Sequence, residues 1–116
     1  MTKKEASERY QISSRILEDY ERWNLRDDAK KAKGQWKYDD ADLELLGTIT
    51  TLHDMGLEED EIERYMRLYL RGDETSAERV QILNQKREQT LDEIHLLEKR
   101  LELFDYFRFK TQNTKK

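Results

Sequence analysis

The stretch from Ala77 to Phe107, AERVQILNQKREQTLDEIHLLEKRLELFDYF, decides the fold. Val80, Leu83, Ile94, Leu97, Leu101 and Phe104 fall on one track with alternating spacings of three and four. Arg87 and Thr90 occupy its two middle positions. Side chains that repeat every 3.5 residues meet one partner along the whole length of a helix, so the pattern predicts a single long helix carrying a coiled-coil seam. At 1.5 Å per residue such a helix spans ~45 Å, too long for the core helix of so small a domain. It therefore needs a partner. The simplest partner is a second copy of the chain; the plainer alternative is one helix of an intramolecular bundle.

The seam is uneven. Arg87 and Thr90 weaken its N-terminal half and help to fix register. Toward the C-terminus Leu96, Leu103 and Phe107 make a second apolar track beside the first. A helix apolar on two sides packs against two things.

Composition sets the wider limits. The 116 residues are 35% apolar and 41% charged, so the core of a single copy would be thin and an oligomer is favoured. There is no proline and there are only four glycines, which points to an all-helical chain with few irregular loops. The absence of cysteine excludes disulfides, thiolate metal sites and thiol redox sensing. With no signal peptide and no apolar run of membrane-spanning length, the expected location is the cytoplasm, and no membrane partner is expected. The net charge of −4 is unevenly placed. Residues 1–37 hold ten Lys/Arg and seven acids, a balance of +3 that leaves −7 for the remainder. A basic head on an acidic body suggests that one end meets an anionic partner.

Residues 3–10 read as a short helix, and a second runs from Ser14 to about Trp23 with Ser13 as its N-cap. Ile16, Leu17, Tyr20 and Trp23 give the second helix a buried side, and the pair forms a helix-turn-helix pattern. The segment Asn24–Lys37 carries Lys30, Lys31, Lys33 and Lys37 with Gly34 as a turn. It reads as a wing that grips phosphates, with Trp36 and Tyr38 folding back to hold it; the plainer reading is a solvated connector. Asp39 or Asp40 caps a third helix that Gly56 ends, and Leu43, Leu46, Ile49 and Leu52 form its buried stripe. The acidic run Glu58–Glu61 starts a fourth, and Thr75 with Glu78 forms a capping box for the long helix.

Nothing in this pattern reads as an enzyme. His53 and His95 lie on different helices, the Asp92/His95 pair is a solvated helix face rather than a metal site, and no glycine-rich phosphate loop or nucleophile elbow is present. No cofactor and no metal are expected.

Taken together these elements resemble the MerR family of bacterial transcription regulators. The resemblance covers residues 5–109. Glu5-Ala6-Ser7 and Ile12-Ser13 stand at the family's E-L-A and V-S, and Ser13-x-Arg15-x-Leu17-x-x-Tyr20-Glu21 fits its S-x-R-x-L-R-Y-Y-E. Asn24-Leu25 stands where the family has Gly-Leu, and Gly34-x-x-x-Tyr38-x-x-x-Asp42-Leu43 follows its G-Y-R-x-Y-x-x-x-D-L. Leu46, Ile49, Leu52, Gly56, Leu57, Glu61 and Ile62 continue in step. Two departures stand out: Glu18-Asp19 replaces the usual Arg-Tyr on the recognition helix, and Gln35-Trp36 replaces Tyr-Arg in a wing without its proline.

The resemblance implies an all-α fold, with room for a short wing hairpin. A winged helix-turn-helix head would fill residues 1–72, a coiled-coil dimerisation helix residues 73–109, and a flexible tail residues 110–116. Two long helices would pair antiparallel through Val80, Leu83, Ile94, Leu97, Leu101 and Phe104. The homodimer would act on a pseudo-palindromic promoter of double-stranded DNA, distorting its spacer. The DNA-contacting set would be Ser13, Ser14, Arg15, Glu18, Asp19 and Tyr20 on the recognition helix with Lys30, Lys31, Lys33 and Lys37 in the wing. Arg15 would be the main base reader, Tyr20 a phosphate or packing contact, and the lysines a backbone clamp. An effector, if the protein takes one, would be small and apolar or aromatic, near Phe104, Phe107 and the Trp36–Tyr38 region. Because two recognition positions are acidic, a second reading stays open: a dimeric interaction module that keeps the scaffold without the DNA.

Overall fold

The computed structural model describes residues 1–26 and 38–114, which divide into two compact units, Met1–Arg79 and Val80–Lys116. Helix α1 spans Lys3–Tyr10, α2 Ser14–Trp23, α3 Asp40–Asp54 and α4 Glu59–Arg71; a 3₁₀ turn at Asp73–Thr75 leads into α5, Ser76–Asn113. No sheet is present among the described residues.

Local chemistry accounts for each boundary. Thr2 caps α1 by accepting from the Glu5 amide, and Gln11 ends it in the left-handed region at φ 54°. Ser13 caps α2, its Oγ accepting from the Ile16 amide at 3.2 Å. Asp39, not Asp40, caps α3, in a reciprocal box with Asp42 at 2.9 and 3.0 Å. The C-terminus of α3 closes as a Schellman turn: the Gly56 amide donates to His53 O and the Leu57 amide to Leu52 O, at 3.0 and 3.2 Å. Gly56 sits at φ +91°, a conformation that a side chain would strain.

The core of the first unit is built by Ile16, Leu17, Tyr20 and Trp23 of α2 against Leu45, Leu46, Ile49 and Leu52 of α3, with Ile62 and Met66 of α4; all are buried. Arg67 closes the α2 C-terminus from α4, its Nη2 donating to Trp23 O at 2.9 Å while Glu63 holds the guanidinium at 2.8 and 2.9 Å. Thr75 corrects the sequence reading. It is buried and makes no capping box with Glu78; its hydroxyl points back, 2.6 Å from Leu68 O and 2.8 Å from Gly72 O. A carbonyl near the end of α4 had no helical partner, and this hydroxyl supplies one. Arg79 donates to Thr75 Oγ1 at 3.1 Å and lies over the Tyr65 and Tyr69 rings, 5.9 and 5.5 Å from their centroids.

The second unit is one helix. Helix α5 has 38 residues, ~57 Å at the usual rise. It runs six residues beyond Phe107, through positions assigned from sequence to a flexible tail. Residues 108–113 hold no glycine or proline to stop it. Among the described residues, no helix is long and apolar enough to cross a membrane.

Candidate nucleic-acid interface

At 100° per residue, the buried side of α2 is centred between Ile16 and Tyr20. The opposite face carries Ser14, Arg15, Glu18 and Arg22, all exposed. Ser13, the N-cap, is exposed beside them, so the N-terminal turn and outward face of α2 form the surface that could enter a groove. Glu18 lies at the centre of that face.

Two members of the expected DNA-contacting set are placed elsewhere. Asp19 is 8% exposed, because it lies three residues after Ile16 and four before Trp23, on the rim of the buried face beside the first turn of α4. Tyr20 is 2% exposed; it is a core residue whose hydroxyl donates to Asp42 Oδ1 at 2.5 Å, so it makes the packing contact. The exposed residues on this side of α2 are therefore Ser13, Ser14, Arg15, Glu18 and Arg22. Arg22 was missed from sequence, where it reads only as a basic residue closing a helix.

Both exposed arginines of α2 meet Glu59 at the start of α4. Arg22 Nη2 bonds Glu59 Oε1 and also Asp19 Oδ1 at 2.9 Å, and Arg15 Nη2 lies 3.6 Å from Glu59 Oε2. Burial pushes the Asp19 carboxyl above the usual range, and Glu59 beside it pushes the same way. Glu59 falls below its usual value, through the hydrogen bond with Asp19 and then that with Arg22.

A second network ties α2 to the ends of the undescribed segment. Asp42 is 2% exposed and accepts from Tyr20 and from Arg26 Nη1, the latter at 2.9 Å; Arg26 also reaches Asp39 at 2.7 Å. Tyr38 is buried, its hydroxyl donating to Glu21 Oε2 at 2.7 Å, and its backbone exchanges two hydrogen bonds with Met1 at 2.6 and 3.0 Å. So Tyr38 does fold back on the helices. Trp36, Lys30, Lys31, Lys33 and Lys37, and with them the wing, lie outside the described residues.

These tyrosines set an alkaline limit. Burial first, then the Asp42 and Glu21 carboxylates, raise Tyr20 and Tyr38 far above the ordinary value of 10.0. A folded-state pKa above the unfolded one gives stability that is whole below the unfolded pKa and is lost as pH rises toward the folded one. Each tyrosine should thus cost ~1.4 kcal/mol per pH unit above about pH 10. Melting temperatures measured from about pH 8 to 11 should fall steeply past 10, and Tyr38→Phe should flatten the slope by about half; an unchanged slope in that variant would be the contrary result.

On α5 the expected seam is open to solvent in the single chain. Val80, Ile94, Leu97, Leu101 and Phe104 are exposed, Phe104 by 72%, while Leu83 is half-buried. Leu96, Leu103 and Phe107 of the second track are also exposed. Among the described residues no group of three His, Cys, Asp or Glu could hold a metal ion. A cavity of about 220 Å³ lies under the Glu59 cluster, floored by Ile16, Trp23, Ile49 and Ile62.

A helix-turn-helix head with an arginine-bearing outward face, followed by one long helix, defines a DNA-binding transcriptional regulator. Residues 1–69 match the model of the MerR HTH family regulatory protein, and the chain belongs to that family. The structure is similar to that of a MerR family transcriptional regulator from Listeria monocytogenes (24% identity, 99% of this chain and 87% of that one, TM-score 0.70). It is also similar to HiNmlR, a MerR family regulator lacking the sensor domain, bound to promoter DNA (25% identity, 98% and 91%, TM-score 0.66). No curated protein matches the sequence.

Proposed function

We propose that the chain acts as a homodimer on a pseudo-palindromic promoter, with α2 of each head in the major groove and the two α5 helices paired antiparallel. The observation that carries this reading is the exposed apolar seam on α5 of a chain whose head is a helix-turn-helix. A row of leucines and a phenylalanine in water is unfavourable by ~1.5–3 kcal/mol per side chain, and a second copy removes it from water. The domain limits in this reading are a head over 1–72, a dimerisation helix from 73 and a short tail. The similarity to HiNmlR supports the DNA, since that relative is bound to promoter DNA. The wing lysines would clamp phosphates on either side of the groove. A small apolar effector would sit beside Leu103 and Phe107 of the second track, where Arg100 and the seam residue Phe104 also line an open hollow.

Arg15 is the base-reading candidate, and it is 78% exposed. Arg15→Ala should weaken a specific site by ~1–3 kcal/mol. Glu18→Arg should tighten random duplex and steepen the dependence of log affinity on log salt by about 0.9, the worth of one phosphate contact. A titration of random duplex at about 50 and 200 mM salt reads both. One observation favours the interaction module instead: Glu18 occupies the centre of the outward face and Glu59 neutralises the arginines beside it. Absence of duplex binding at low salt, in the native protein and in Glu18→Arg alike, would select that reading.

A further inference from the structure

Arg15 and Arg22 are seven residues apart, two turns of α2, and stand on the same exposed face. A single carboxylate from another helix, Glu59, reaches both, with its two oxygens divided between them. Asp19 adds a second acceptor on Arg22 from below. The two cations best placed to meet DNA are thus already paired inside the head, while the charge at the centre of the face with no ion pair among the described residues is Glu18. The cavity beneath the cluster, about 220 Å³, falls short of the ~300–1,000 Å³ usual for small-molecule sites. The exposed side of the cluster, by contrast, is the one that faces a groove.

We propose that Glu59 is an intramolecular competitor for DNA that sets the specificity of the recognition helix; this rests on the DNA-binding reading above. On random duplex, phosphates must displace Glu59 from Arg15 and Arg22, and the exchange of one anion for another gains little. A cognate site offers more than an anion, because a guanine edge takes two donors from one guanidinium. Only there does leaving Glu59 become favourable. Glu59 therefore suppresses nonspecific binding more than specific binding. Its ionised state is sustained by the cluster itself, since the hydrogen bonds with Asp19 and Arg22 both favour the charged form.

The test uses the full chain and random duplex, with Glu59→Gln compared with Glu58→Gln. Both remove one negative charge from the start of α4, at adjacent positions. Glu59→Gln should bind random duplex roughly tenfold more tightly at about 50 mM salt, with the salt slope steeper by up to about 1.8, as Arg15 becomes free for a phosphate and Arg22 keeps only its bond to Asp19. Glu58→Gln should stay near the native protein. Adding Arg22→Ala to Glu59→Gln should remove about half of the gain in slope, whereas Arg22→Ala alone should change random binding little. Circular dichroism of each variant checks that α4 is intact. If the two glutamine variants behave alike, or Glu59→Gln binds more weakly, Glu59 is not a competitor and the proposal falls while the DNA reading stands. If the native protein, Glu59→Gln and Glu18→Arg all fail to bind at low salt, the DNA reading falls and takes this proposal with it.

Discussion

Leu101→Asp is expected to leave the protein monomeric at concentrations where the native chain is a dimer, as read by size exclusion with light scattering. Leu101 is 61% exposed in the single chain and lies on the main seam. Burying a leucine contributes ~1.5–3 kcal/mol, and in a two-fold dimer the position occurs twice. A carboxylate there reverses the sign, because an unpaired charge is costly to remove from water. The change leaves Met1–Arg79 untouched, so loss of the dimer with retained helicity is the expected outcome. A dimer that survives unaltered would refute the seam.

The proposed antiparallel pairing carries a finer expectation. Aligned end to end from Val80 to Phe104, the seam sets Phe104 opposite Val80 and Leu101 opposite Leu83, while Arg87 comes opposite Leu97. Large meets small at the ends, and the two polar positions lie toward the middle. Leu97→Asp would then place its carboxylate against the partner's Arg87 and should be tolerated better than Leu101→Asp. A parallel pairing sets Leu97 against Leu97 and predicts equal damage.

How much of this was legible in the sequence depended on whether the deciding interaction was local. The long helix, the Ser13 cap, a cap at Asp39 or Asp40 and the Gly56 stop were legible, because each rests on residues within a turn or two of one another. The burial of Asp19 was not. A charged residue on the rim of an apolar stripe reads as outward-facing until the element beside it is known, and here that element is α4. Glu59 reads locally as a complement to its own helix dipole; its bond to Arg22 crosses 37 positions that no periodicity connects. Thr75 failed for a related reason. A threonine before a helix is a good N-cap, and nothing in the sequence says that the preceding helix claims its hydroxyl first. The acidic replacements at Glu18-Asp19 were visible as an oddity, yet only the geometry separates them: one faces outward and the other is structural.

Asp42→Ala should be the most destabilising single change in the head. The carboxylate is 2% exposed, accepts from the Tyr20 hydroxyl and the Arg26 guanidinium, and closes the α3 capping box through the Asp39 amide. Truncation leaves a buried hydroxyl and a half-buried guanidinium each short of an acceptor, which makes the loss far larger than that of one hydrogen bond. A buried hydroxyl left without its acceptor costs ~1–3 kcal/mol and a lost cap ~1 kcal/mol more, a large part of the ~5–15 kcal/mol that holds a whole domain together. For a unit of this size the melting temperature should fall by roughly 15–30 °C, measurable by circular dichroism. Tyr20→Phe removes a single donor and keeps the packing, so it should cost only ~1–2 kcal/mol. Asp42→Asn keeps an acceptor for Tyr20 but not the charge for Arg26, and should fall between the two. Arg26 and Asp39 flank residues 27–37, so the same carboxylate anchors both ends of the expected wing. If the phosphate clamp depends on that anchor, Asp42→Asn should weaken random-duplex binding at a temperature where the head is still folded. A melting temperature within a few degrees of native for Asp42→Ala would mean that the network is not what holds α2 to α3.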